Sequence, residues 1–201
     1  RFIQMIASSV PAGPPVARQQ PWIAARTRST RDTLQDHVAQ TRIVREWNVP
    51  QDGSMDEAQL ELAAAVLGGG KTSRLYDRLV YKDKVADSVS VSVDSLALAS
   101  LLELQVDVKK GVDPARVEAA IADEWKKFLK DGPTADELER VKIDTRASFI
   151  RALEKVNGKA SILAQGQVYR DDPGAYKIDL ARIDAATPAS VRAAANQWIA
   201  R

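Results

Sequence analysis

The chain has 201 residues, 45% of them hydrophobic and 28% charged, with 29 basic and 27 acidic side chains leaving a net charge of +2. That length and composition fit one sizeable globular domain, able to bury about 70% of the surface its unfolded chain exposes. The near balance of charge, with no block of five or six like residues, argues against a nucleic-acid binder, the absence of cysteine excludes disulfides and thiolate metal sites, and no apolar run is long enough to span a bilayer.

Arg1, not Met, opens the chain, and the first residues lack the continuous apolar centre of a signal peptide. The sequence therefore reads as a piece of a longer protein. Residues 1–33 read as the end of a preceding short helix and a connector, because Pro11, Gly13, Pro14, Pro15 and Pro21 forbid a helix there. A single domain over 34–201 follows. Between Asp36 and Val49, the residues Ala39, Thr41, Ile43, Trp47 and Val49 share one face, and Gln40, Arg42, Glu46 and Asn48 the other. This alternation predicts a half-buried strand, closed by Pro50 and the turn residues Asp52-Gly53.

Ser54 and Glu57 have capping-box spacing and open a helix that turns Leu60, Ala63, Ala64 and Leu67 inward. Gly68, Gly69 and Gly70 end it in the manner of left-handed caps. Thr72 or Ser73 then caps a second helix, which begins with Arg74, Leu75 and Tyr76 and buries Leu75, Leu79 and Val80. Val85, Val89, Val91 and Val93 predict one strand, and Leu102, Leu104, Val106 and Val108 its antiparallel neighbour.

The rest reads as helix. Asp113-Pro114 starts one that runs to about Lys130 and breaks at Asp131-Gly132-Pro133. Thr134 and Glu137 form a second capping box, opening a long helix through Leu153. Further helices are predicted over Lys159 to Arg170, Ala175 to Leu180, and from Thr187-Pro188 to Trp198. Strands and helices are segregated along the chain, which implies an α+β fold, an antiparallel sheet with helices packed on one face.

Few residues carry chemistry. Ala65 to Thr72 matches the phosphate-loop spacing with alanine for the first glycine, but such a loop must follow a buried strand and open a helix. Here a capped helix precedes the glycines, so the stretch reads as a helix-to-helix turn. His37 is the lone histidine, too few ligands for zinc and too little for a triad without a nucleophile elbow. It reads as exposed or hydrogen-bonded. Asp56/Glu57 and Asp136/Glu137 fall in first helical turns and complement the helix dipole, and Asp171/Asp172 form a turn. Trp22, Trp47, Trp125 and Trp198 read as core or interface packing. No catalytic or metal-binding residue is predicted.

Leu62 to Val91, "LAAAVLGGGKTSRLYDRLVYKDKVADSVSV", resembles the insulinase/pitrilysin family of zinc metallopeptidases, which includes the mitochondrial processing peptidase. In that family a helix ends in an L-G-G-G-x-S-S-R-L-[FY] turn, matched here by Leu67 to Gly70 and Ser73 to Tyr76. Asp131 to Lys142 is similar to the segment that opens the family's long helix, Arg182 to Ile199 to its final helix, and Ser9 to Val16 to its inter-repeat linker. The resemblance implies one α+β repeat of a clamshell that closes around peptides. It also implies zinc in the parent protein's catalytic domain, held there by an inverted H-x-x-E-H motif that this fragment lacks. The comparable helix, Leu60 to Leu67, is aliphatic, and the Arg/Tyr pair with which many members contact substrate falls at Val80 and Asp87. The fragment is thus expected to be a catalytically silent repeat, the second of a bacterial, exported and periplasmic zinc endopeptidase. Its expected partners are other repeats or a homologous subunit and peptide substrate, with no nucleic acid and no membrane span. The alternative is a non-peptidase scaffold of the same fold, like the core subunits of respiratory complexes.

Overall fold

A computed structural model of the chain describes Gly13, Ala17 and residues 19–200. The predicted N-terminal helix end and the prolines Pro11, Pro14 and Pro15 lie outside the described residues. Residues 19–41 carry neither helix nor strand, and they are held to the domain by Asn48 Nδ2 donating to the Ala24 carbonyl and by a bidentate Arg31–Glu118 pair.

The three strands are β1 Arg42–Val49, β2 Ala86–Asp94 and β3 Ser100–Val108. They form one antiparallel sheet in the order β1-β3-β2. β1 starts six residues later than the alternation from Asp36 suggests. β3 supplies ladder partners only as far as Arg42↔Asp107, and beyond it Asp36 folds into its own turn, accepting from the His37 and Val38 amides. The predicted inward sets hold. Leu102, Leu104, Val106 and Val108 are buried, as are Val85, Val89 and Val91, while Val93 near the end of β2 is only half-buried against the core. Val85 and Ala86 are both buried because β2 bulges between Ala86 and Ser88, which shifts the alternation by one residue and leaves Asp87 exposed.

Helix α1, Met55–Gly68, follows β1 and is the centre of the domain. Leu60, Leu62, Ala63, Ala64, Val66 and Leu67 make it apolar over more than one face, with Glu61 left exposed. That pattern befits a helix covered over most of its surface, and α1 packs on β2 and β3, on α3 and on the last two helices. The π-helical segment Tyr76–Lys82 comes next. Its wider turn, with the Asp83 amide reaching the Arg78 carbonyl, keeps Leu75 and Leu79 wholly buried and Val80 half-buried against the core.

Beyond the sheet come α2 Pro114–Asp131, α3 Ala135–Glu154, α4 Val156–Arg170, α5 Tyr176–Ala185 and α6 Pro188–Trp198. The Asp113 cap and the Thr134/Glu137 box form as read, and α6 adds a box of its own between Thr187 and Ser190. α4 starts three residues before the predicted Lys159. Gly158 lies over the end of α3, where a Cβ would meet the Ala152 carbonyl oxygen at 2.0 Å, so the chain can reverse at the single residue Lys155. α5 runs five residues past Leu180. Ile183 is buried there, and the Lys142 ammonium donates to the Asp184 and Ala186 carbonyls at the helix end.

Trp47 of β1 and Trp125 of α2 stack at 4.8 Å, and Trp125 Nε1 donates to the Ile199 carbonyl, tying the sheet, α2 and the end of α6 together. Trp198 is half-buried and donates to Asp56, whereas Trp22 is 67% exposed and belongs to no core.

Two backbone positions are directly testable. A Cβ on Gly68 would lie 2.4 Å from the Val91 amide nitrogen, so Gly68→Ala must push α1 off β2, at an expected cost of about 2–3 kcal/mol in urea unfolding. Lys84, by contrast, holds φ 52 in the left-handed region. Lys84→Gly is expected to stabilise the domain by about 0.5–1 kcal/mol in the same assay.

Candidate functional site

The glycine turn is where the sequence concentrates its signal, and each glycine has its own reason for being there. Gly68 is the last residue of α1, pressed against β2. Gly69 caps the helix with φ −78, and its missing Cβ leaves room for the Ala65 carbonyl. Only Gly70, at φ +115, uses the left-handed freedom foreseen for the whole run. Ser73 does not cap the following helix. Its hydroxyl donates to the Gly70 carbonyl at 2.6 Å, and its amide reaches the same oxygen, so Ser73 closes the turn itself. The turn has no carbonyl-free amide cradle opening a helix from a strand; it links α1 to a π-helix, and Lys71 and Thr72 are exposed. The phosphate-loop geometry is not built.

Arg74 converts the turn into a tertiary clamp. Its guanidinium makes a bidentate pair with Glu137, Nε to Oε1 at 2.8 Å and Nη2 to Oε2 at 2.7 Å, and Nη2 also donates to the Gly132 carbonyl. It lies over the Phe128 ring at 5.4 Å and has Glu124 at 4.0 Å. One side chain thus joins the start of the π-helix to the end of α2 and the cap of α3. Arg140 of α3 reinforces the join by donating to the Thr72 carbonyl. Glu137 does more than complement a dipole, since it also accepts from the Thr134 amide. Burial alone would raise its pKa, but the Arg74 guanidinium and the Thr134 donors outweigh that and hold it at about 2.

A second polar junction was not foreseen. Glu57, one half of the expected Ser54 box, takes its side chain elsewhere. Ser54 does cap α1 by accepting from the Glu57 amide, but the Glu57 carboxylate accepts from the Ser95 hydroxyl in the β2–β3 loop. Around it lie Asp52, Glu61 and Asp179, with Arg170 bridging Asp52 and Asp179. The Arg182 guanidinium donates to the Gly53 carbonyl and to Asp179. Spacing along the chain gives no hint of this junction because its members come from four separate segments.

The positions matched to the family's substrate-contacting pair are far from alike. Val80 packs on the core from the π-helix, and Asp87 is exposed at the bulge of β2. His37 is exposed in the connector. Asp172 closes its turn by accepting from the Gly174 amide, and Asp171 takes a left-handed conformation. Zinc does not fit this domain's α1. The side chains there, Leu60, Ala63, Ala64 and Leu67, are core hydrocarbon, and among the described residues no three His, Cys, Asp or Glu side chains gather as a metal set. Two shallow grooves, of about 310 and 260 Å³, are lined by Met55, Gln59 and Arg182, and by Arg78, Arg116 and Asp123. Neither presents a nucleophile beside a base. Among the described residues no helix is long and apolar enough to cross a membrane.

An antiparallel sheet with a largely buried helix α1 and a layer of helices on one face defines an α+β domain. Residues 1–144 match the family described as peptidase M16 inactive domain, and the chain belongs to that family. No curated protein matches by sequence. Among solved structures, a protease from Helicobacter pylori is similar at TM-score 0.75 and 22% identity, over 82% of this chain and 39% of that one. The inactive peptidase domain of a candidate zinc protease from Bordetella parapertussis gives 0.72 and 21%, over 83% and 89%. A peptidase M16 inactive domain from Pseudomonas fluorescens gives 0.74 and 19%, over 96% and 45%. At these identities the likeness shows the fold. The chain spans less than half the length of two of these three structures.

The Arg74 clamp makes a pH-dependent prediction. Because the folded-state pKa of Glu137 is depressed, its contribution is present above the ordinary carboxylate value of 4.5 and is lost as pH falls from there through about 2. Wild-type protein is expected to lose about 2–3 kcal/mol over that window from this group, after allowance for its partial exposure. In Arg74→Ala most of that loss disappears, because the variant is already destabilised by a similar amount at pH 7. Urea unfolding at a series of pH values measures both.

Proposed function

We propose that this domain is the catalytically silent wall of a zinc-dependent endopeptidase, helping to form the closed chamber that holds peptide for hydrolysis by a separate H-x-x-E-H domain. The observation that carries the reading is the apolar face left open on α3 and α4. Ile143, Ile150, Val156, Leu163, Val168 and Tyr169 are all exposed, and on α4 only Gly166 is buried. Apolar surface of that extent on two adjacent helices is the mark of a domain meant to be covered by another. Membership in a family of inactive peptidase domains supports another repeat of the same protein, or a homologous subunit, as that cover. The outer edges of β1 and β2 have no further strand beside them among the described residues, and either offers a row of backbone donors and acceptors to an extended peptide. Export to the periplasm belongs to this reading through the family resemblance. The scaffold alternative is not favoured, since the matching family is one of peptidase domains.

The test uses the parent protein with and without this domain. Deletion is expected to leave stoichiometric zinc in the catalytic domain while lowering kcat/KM on an unstructured peptide roughly a hundredfold, the scale of lost substrate positioning. Unchanged hydrolysis after deletion, or zinc-dependent hydrolysis by this domain alone, would contradict it.

A further inference from the structure

The chain holds two methionines, Met5 and Met55, and no cysteine, so its sulfur chemistry is confined to those two thioethers. Met5 lies outside the described residues. Met55 opens α1 and is 54% exposed, on the wall of the groove between the start of α1, the end of α5 and α6. Solvent therefore reaches its side chain. One turn along the same face of the helix stands Gln59, only 4% exposed.

The two ends of the Gln59 carboxamide are served unequally. The Ser190 hydroxyl of α6, itself accepting from the Thr187 amide, donates to Gln59 Oε1 at 2.8 Å. That bond sets the oxygen toward α6 and leaves Nε2 turned to Met55 Sδ at 3.9 Å. A thioether is a weak acceptor, and a primary amide nitrogen carries two donors. Among the described residues that sulfur is the acceptor Nε2 finds. The Trp198 indole and the Gln197 amide, the next donors along the groove, both go to Asp56. A buried donor group with so poor an acceptor is an incomplete hydrogen bond. An oxygen on the sulfur completes it.

We propose that Met55 is a site of reversible oxidation, whose sulfoxide oxygen accepts from Gln59 Nε2 and tightens the start of α1 on α6. The oxidant is hydrogen peroxide. The Met55 sulfur attacks one peroxide oxygen, the S–O bond forms as the O–O bond breaks, and the other oxygen leaves as hydroxide. That hydroxide takes the proton of the transferred oxygen and becomes water, so the sulfur loses two electrons and the peroxide gains them. Conversion of a thioether to a polar sulfoxide disrupts an ordinary apolar core. Here the new oxygen meets a donor that lacks a good acceptor, and one S–O bond brings the 3.9 Å separation down to hydrogen-bond length. The groove, of about 310 Å³, leaves room for it. Methionine sulfoxide reductases return the thioether, one enzyme for each sulfoxide epimer.

The test uses the chain carrying Met5→Leu, which leaves Met55 as its one sulfur, with hydrogen peroxide as oxidant and peptide mass mapping to follow the reaction. Oxidation is expected to raise the melting temperature by about 2–4 °C, the effect of one added hydrogen bond in a chain of this size. It is also expected to move the Gln59 side-chain amide protons in NMR spectra. When Gln59→Leu is added, the same oxidation is expected to lower the melting temperature, because the sulfoxide then has no donor. Should that variant fail to fold, the sign of the melting change and the Gln59 amide shift in Met5→Leu decide. Met55 left unmodified at peroxide levels that oxidise free methionine, an oxidised Met5→Leu chain that melts lower, or Gln59 amide protons that do not move would overturn the proposal.

Discussion

A single guanidinium sets how this domain closes. The sheet and α1 can pack through hydrocarbon alone, but the π-helix must be held against the far layer formed by the end of α2 and the start of α3. Arg74 does this with a planar fork that meets both Glu137 oxygens, a backbone carbonyl and an aromatic face at once. A lysine could not reproduce that arrangement, because its point charge cannot pair with two oxygens in one plane. Glu137 is in turn fixed by the Thr134 cap, so the clamp and the capping box are one structure seen from two ends.

The glycine turn belongs to the same structure. Gly68 brings α1 onto Val91, Gly70 reverses the chain, Ser73 locks the reversal, and Arg74 leaves the turn aimed at Glu137. A motif that looks like a phosphate loop is in fact the corner that lets a central helix meet a sheet and a helical layer together. In this domain of the peptidase M16 inactive family, the corner holds a central helix filled with leucine and alanine against both layers.

Much of this could be read from the chain. The alternating sets of β2 and β3, the Asp113 and Thr134 caps, and the Thr187-Pro188 start of α6 are local signals, and local physics decides them. What could not be read depends on partners distant in sequence. The start of β1 depends on where β3 runs out, the π-helix on which residues the core accepts, and the length of α5 on a lysine more than forty residues upstream. Glu57 shows the limit most plainly. Its spacing from Ser54 announces a capping box, and the cap forms by half, but the carboxylate is drawn to Ser95 by a loop that no local rule places there. The candidate site was legible as a turn and illegible as a clamp for the same reason. Ser73 and Arg74 stand out in the sequence, and Ser73 finds its partner three residues back in Gly70, whereas the Arg74 partners Glu137, Gly132 and Phe128 are about sixty residues away.

The central claim, that Arg74 and Glu137 act as one tertiary clamp, is open to a double-mutant cycle. Urea unfolding of wild type, Arg74→Met, Glu137→Gln and the double variant at pH 7 gives their coupling free energy directly. A coupling of about 2–3 kcal/mol is predicted for a bidentate, largely enclosed pair. A value below about 0.5 kcal/mol, that of an exposed ion pair, would contradict the account.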